Sequence, residues 1–87
     1  MKIKKELITR EIAGDTILVP VGKTVYDSNG LFVLNEVAAF IWNLLPIVDS
    51  ESEIIAKILV EYEVDVEEAT TDTKGFLSKL REMDIID

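Results

Sequence analysis

The stretch that decides the fold is Leu31-Phe32-Val33-Leu34-Asn35-Glu36-Val37-Ala38-Ala39-Phe40-Ile41-Trp42-Asn43-Leu44-Leu45-Pro46. It opens with four successive apolar residues, which reads as a short strand. Asn35 follows as a helix N-cap, a position that favours a short polar side chain able to accept a backbone N–H. Ala38, Ile41, Trp42 and Leu45 then recur at helical spacing, with Val37, Phe40 and Leu44 widening the stripe. Pro46 ends the helix. The chain thus passes from strands to helices at residue 35.

Upstream, the sequence reads as short strands. Leu7 to Ile12 alternates, with Ile8 and Ile12 expected inward and Thr9 and Glu11 outward. Ala13-Gly14-Asp15 is a turn, and Thr16 to Val21 is a second strand. Pro20 cannot donate to a ladder and is expected at an edge or a bulge. Lys23 to Tyr26 is expected to pair with Leu31 to Leu34 across a tight turn at Asn29-Gly30.

A strand with one wet face alternates, and Leu31 to Leu34 does not. It is either a central strand covered on both faces or a strand with one apolar face left for something else to lie on.

Downstream, Ser50-Glu51-Ser52-Glu53 and Asp65-Val66-Glu67-Glu68 are capping boxes. Ile54, Ile55, Ile58, Leu59 and Tyr62 line one face of the second helix. At 100° per residue, Val66, Ala69, Thr73 and Leu80 fall within about 80° of Leu77 and form the core stripe of the third helix. Phe76 and Met83 sit at its margin, beside Asp72 and Lys79, either as peripheral core or as binding surface. Gly75 costs about 1 kcal/mol against Ala within a helix. It is either an exposed glycine without a role or a site where another backbone comes close. Residues 1–87 are expected to form a single α+β domain with three or four antiparallel strands over about 7–34. Helices are expected over about 35–45, 50–63 and 65–83, in a winged helix-turn-helix-like arrangement.

The chain has 87 residues and a net charge of −8, with no histidine and no cysteine. These absences exclude a disulfide scaffold, Cys/His zinc sites, a thiol nucleophile and a histidine base. No glycine-rich phosphate loop and no EF-hand loop is present. No catalytic residue, no metal site and no cofactor is expected. No apolar run approaches a membrane span and no signal peptide is read at the N-terminus, so a cytoplasmic address is expected. Residues 1–35 carry net +1 and residues 36–87 net −9. The acidic part repels polyanions, so nucleic acid and anionic membranes are not expected as partners. Residues 65–84, where a DNA-reading helix would be basic, carry net −3. Asp49-Ser50 resembles the phosphopantetheine site of acyl carrier proteins. Those carry Asp-Ser-Leu and are all-helical, whereas here Glu51 follows and strands come first, so Ser50 reads as an N-cap.

From Leu34-Asn35 through Ile86 the chain resembles the PqqD-like family, named for a small protein of pyrroloquinoline quinone biosynthesis. The resemblance is carried by Ala38, Ile41-Trp42, Leu44-Leu45, Glu53-Ile54, Leu59, Tyr62, Val64, Ala69, Asp72, Phe76-Leu77, Leu80 and Ile85-Ile86. Ile17-Leu18-Val19 and Gly30-Leu31-Phe32-Val33 match upstream. Two departures stand out. Pro46 replaces an Asp-Gly that often ends the first helix, and Asp84 stands where the family usually has Gly. The resemblance implies a non-catalytic recognition element for ribosomally made, later modified peptides (RiPPs). Such a domain captures the leader of a precursor peptide and delivers its core to a tailoring enzyme, often a radical SAM protein. The leader would add as a strand at Leu31, Phe32, Val33 and Leu34. Phe76, Leu80 and Met83 would floor the groove, with Asp72 and Lys79 at its rim. The rival expectation is a structural subunit of a maturation enzyme, or a homodimer that covers the strand edge by exchange.

Overall fold

A computed structural model describes residues 1–23 and 32–87. Three antiparallel strands, β1 (Leu7–Ile12), β2 (Asp15–Pro20) and β3 (Phe32–Leu34), precede three helices: α1 (Glu36–Leu44), α2 (Glu51–Glu61) and α3 (Val66–Glu82). The fold is α+β, as the order of patterns predicts. The expected strand beyond Lys23, the Asn29-Gly30 turn and Leu31 lie outside the described residues.

The strands run in the order β1-β2-β3. β2 is therefore the middle strand of the described sheet, and β3 pairs with β2 alone among the described residues. β1 and β2 are joined by the two-residue turn Ala13-Gly14, both at positive φ (52° and 87°). That conformation matches the twist of a tight hairpin. Ile8 pairs with Val19 and Thr9 with Leu18. Because Leu18 is buried, Thr9 lies on the core-side face of the sheet, while Ile8 and Ile12 lie on the other and are 39% and 50% exposed. The alternation in β1 was expected with the opposite phase. Pairing with β2 decides it, since a shift of one residue turns every side chain over.

Helix starts follow the local signals. Asn35 Oδ1 accepts from the Ala38 N–H at 2.8 Å, and Asp65 Oδ1 accepts from the Glu68 N–H at 2.7 Å. Ser50 Oγ accepts from the Glu53 N–H, while the Glu53 carboxylate reaches back to the Asp49 N–H rather than to Ser50. Each cap satisfies N–H groups that the first turn leaves without helical partners. α1 stops at Leu44, and after Pro46 the chain turns so that Val48 is buried.

The core joins Leu18 and Leu34 of the sheet to Ile41, Trp42 and Leu45, to Ile54 and Ile58, and to Ala69, Thr73, Leu77 and Leu80 of α3. Val66, placed in that stripe by its angle, is 61% exposed. It occupies the first position of α3, where the helix begins beyond its partners.

The left-handed residue that ends α3 is Asp84, at φ 58°. The Ile85 N–H donates to the Leu80 carbonyl at 2.8 Å and the Asp84 N–H to the Arg81 carbonyl at 3.0 Å. This is the six-to-one and five-to-two bonding of a glycine-type C-terminal motif, completed here without glycine. Lys4 pairs with the Asp84 carboxylate, the Lys5 ammonium donates to the Met83 carbonyl at 2.9 Å, and Ile3 bridges to Ile86. The first residues of the chain thereby hold the last ones against the core. Among the described residues no helix is long and apolar enough to cross a membrane.

Candidate peptide-binding groove

The direction of the β3 edge follows from hydrogen-bond alternation. In an antiparallel ladder, successive residues of a strand point their N–H and C=O to opposite sides. The Val21 N–H donates to the Glu6 carbonyl at 2.9 Å, so Val19 and Ile17 face β1, while Pro20, Leu18 and Thr16 face the other way. The ring nitrogen of Pro20 thus points away from β1, and the β1–β2 ladder loses no donor. Pro20 lies beyond the last β2–β3 pair at Leu18, so among the described residues its missing N–H falls on a side with no strand to serve. Thr16 pairs with Leu34 and Leu18 with Phe32, so those pairs use the backbone groups between β2 and β3. Val33 is left with its N–H and C=O directed away from the sheet.

A groove runs beside this edge. It is lined by Phe32, Val33, Leu34 and Asn35 from β3 and the cap, by Val37, Ala38 and Ile41 from α1, and by Asp72, Gly75, Phe76 and Lys79 from α3. The α3 residues fall at i, i+3, i+4 and i+7, one continuous strip of the helix. Phe32 and Phe76 are half-buried, with ring centroids 6.3 Å apart and planes tilted by 42°. The Lys79 ammonium lies 5.3 Å from the centre of the Phe32 ring, within reach of a cation–π contact. Asp72 and Lys79 are exposed and stand two turns apart, about 10 Å along the axis. A trough lined by both apolar and charged side chains, next to backbone groups of Val33 that have no partner among the described residues, suits an extended chain.

Of the residues singled out from the sequence, Phe32, Val33, Leu34, Asp72, Phe76 and Lys79 meet at this groove. Leu31 lies outside the described residues. Leu80 is completely buried in the core and Met83 is half-buried against it. Neither belongs to the groove wall, so any part Leu80 plays is support from below. Val37, Ala38, Ile41 and Gly75 line the groove without having been assigned to it. Val37 and Ile41 belong to the α1 stripe, which reads as core in sequence, and only the path of β3 across α1 turns that stripe toward the groove.

The family model for coenzyme PQQ synthesis protein D (PqqD) matches residues 16–86. No curated protein matches the sequence. Among solved structures, TbiB1 in complex with the TbiA(beta) leader peptide is 28% identical over 100% of this chain and 95% of its own, with a TM-score of 0.73. A lasso peptide synthetase B1 complexed with the leader peptide is 22% identical over 93% of this chain and 89% of its own, with a TM-score of 0.70. At that identity the second likeness speaks for the fold.

Proposed function

Because the chain belongs to the PqqD family, we propose that it captures the leader of a ribosomally synthesised precursor peptide by strand addition at β3 and presents the attached core to a tailoring enzyme. The observation that carries this reading is Val33. Its outward backbone pair lies beside a groove of apolar and charged side chains, the geometry in which main-chain bonds give affinity and alternate side chains give specificity. The likeness to TbiB1, whose structure holds a leader peptide, supports the same reading.

In this reading the segment pairs with Phe32, Val33 and Leu34, with Leu31 extending the edge. Phe76 is the main apolar contact, with Leu80 and Met83 beneath and beside it. Asp72 and Lys79 steer register and encounter from the rim. The chain performs no reaction itself. The tailoring partner, a radical SAM protein in the reading drawn from the family, supplies the chemistry, and capture takes place in the cytoplasm where precursors are made.

The test is a fluorescence-anisotropy titration with the labelled leader of a precursor encoded beside this gene. Saturable binding that is lost in Val33→Pro is the expected result. Binding unaffected by that substitution overturns strand addition. The outward backbone groups of Val33 also favour a second reading, a homodimer that pairs β3 with its copy. Sedimentation separates the two: a monomer that gains only the mass of the peptide speaks for capture, and a dimer dissolved by neither dilution nor peptide speaks for self-association.

A further inference from the structure

We propose that Asp72 and Lys79 read the charge order of the captured segment, a basic residue at Asp72 and an acidic one at Lys79, and so fix the direction in which it runs along the groove; the inference rests on the peptide-capture reading above. Several charges of α3 have partners or reasons within the chain. Lys74 pairs with Glu51 at 3.8 Å, and the Arg81 guanidinium donates to the Asp87 carbonyl at 3.0 Å. Glu67 and Glu68 stand in the first turn, where the helix dipole favours an acid. Asp72 lies in the middle of α3, beyond that effect, and among the described residues it has no hydrogen bond or ion pair. Lys79 has none either. It suits the negative end of the helix, but its ammonium lies 5.3 Å from the centre of the Phe32 ring, which carries it across to the β3 side of the groove.

The two charges do not neutralise each other. They stand two turns apart, about 10 Å along the axis, with Gly75 and Phe76 between them on the same strip of the groove. An extended segment beside β3 turns alternate side chains toward α3, so residues two or four positions apart, about 7 or 13 Å, come opposite the two charges within reach of long side chains. In one order each segment charge meets its opposite, and in the other each meets its like. The backbone bonds of an added strand carry no side-chain information, so they leave this choice to the rim. The class of segment is therefore one with an acidic and a basic residue two or four positions apart. Exposed ion pairs are weak, a few-fold in affinity each, and exchanging attraction for repulsion at both ends is worth about tenfold.

The test uses the full chain and a phage-displayed library of random 16-residue peptides, with peptides that also bind Val33→Pro removed. The wild type is expected to enrich sequences with an acidic and a basic residue two or four positions apart, in one fixed order. An enriched peptide with its two charges exchanged should bind wild type about tenfold more weakly at 20 mM salt, with the gap shrinking at 500 mM. The double variant Asp72→Lys, Lys79→Asp keeps the net charge, and both positions are exposed, so it should fold as wild type does and prefer the exchanged peptide. A merely structural role for either residue would not invert the preference. Enriched peptides without the charged pair, or a double variant that keeps the wild-type preference, overturn the charge reading and leave peptide capture standing. No enrichment on the wild type overturns capture and the charge reading together.

Discussion

The Phe32 ring on β3 and the Phe76 ring on α3 stand 6.3 Å apart, so one aromatic contact joins the strand that would accept a peptide to the helix that would cover it. Phe76 is half-buried, unlike its neighbour Leu77, which is fully buried. Phe76→Ala should therefore cost stability well below the ~3–5 kcal/mol of a core phenylalanine, and the domain should remain folded by circular dichroism. Peptide affinity should fall tenfold or more, about 1.4 kcal/mol. A variant that collapses instead would make Phe76 a core residue.

Proline scanning of β3 separates the two sides of the strand. Val33 directs its N–H outward, so Val33→Pro should leave the melting temperature within a few degrees while abolishing peptide binding. Phe32 directs its N–H toward Leu18 of β2, so Phe32→Pro should break the internal ladder and lower the melting temperature markedly. Equal thermal losses in the two variants would mean that the edge does not lie where the alternation puts it.

Lys79 stands over the Phe32 ring at the rim of a chain whose helical part is strongly acidic. Lys79→Glu should slow association of an acidic segment several-fold at low salt, with the difference shrinking as screening shortens the range of the field. Stopped-flow association rates measured from 20 to 500 mM salt report this directly. Rates that coincide at every salt concentration would remove Lys79 from the encounter.

The legible parts of this fold are those whose causes are local. Asn35, Ser50 and Asp65 cap helices through bonds to residues three positions on, and such spacing can be read from letters alone. The order of the strands cannot, because it depends on pairing between segments. The Phe32–Leu34 run also reads as a central strand, and only the pairing shows that among the described residues β2 is its one neighbour. For the same reason the alternation of Ile8 and Ile12 was visible but its phase was not. At the groove, Phe76 stood out by its angle on α3, whereas Ile41 and Val37 belong to a stripe that looks wholly internal until β3 passes beside it. The C-terminal hook shows the reverse case. Asp84 in place of glycine suggests a different ending, yet the motif forms, and a residue far away in sequence pairs with its side chain.

That residue is Lys4, whose ammonium pairs with the Asp84 carboxylate. The hydrogen bond and charge of Lys4 hold the Asp84 carboxyl below its ordinary value of 3.8. The hydrogen bond to Asp84 raises Lys4 above 10.5, with the Asp84 and Asp87 charges adding to it against the opposing effect of burial. A carboxyl whose pKa is lowered on folding contributes stability above its unfolded value and loses it as pH falls through the folded one. The raised lysine contributes fully below 10.5 and loses its share as pH rises through its folded value. The contribution should therefore be level across neutral pH and fade at both ends. Asp84→Asn is the informative variant, because asparagine tolerates the left-handed conformation but carries no charge. It should melt lower than wild type at pH 7, and the two curves should converge as pH falls below the ordinary carboxyl value of 3.8 and the wild-type carboxyl takes up its proton. Thermal melts from pH 2 to 8 measure this. A constant gap between the two proteins down to pH 2 would show that the Asp84 side chain acts through its shape at the turn and not through its charge.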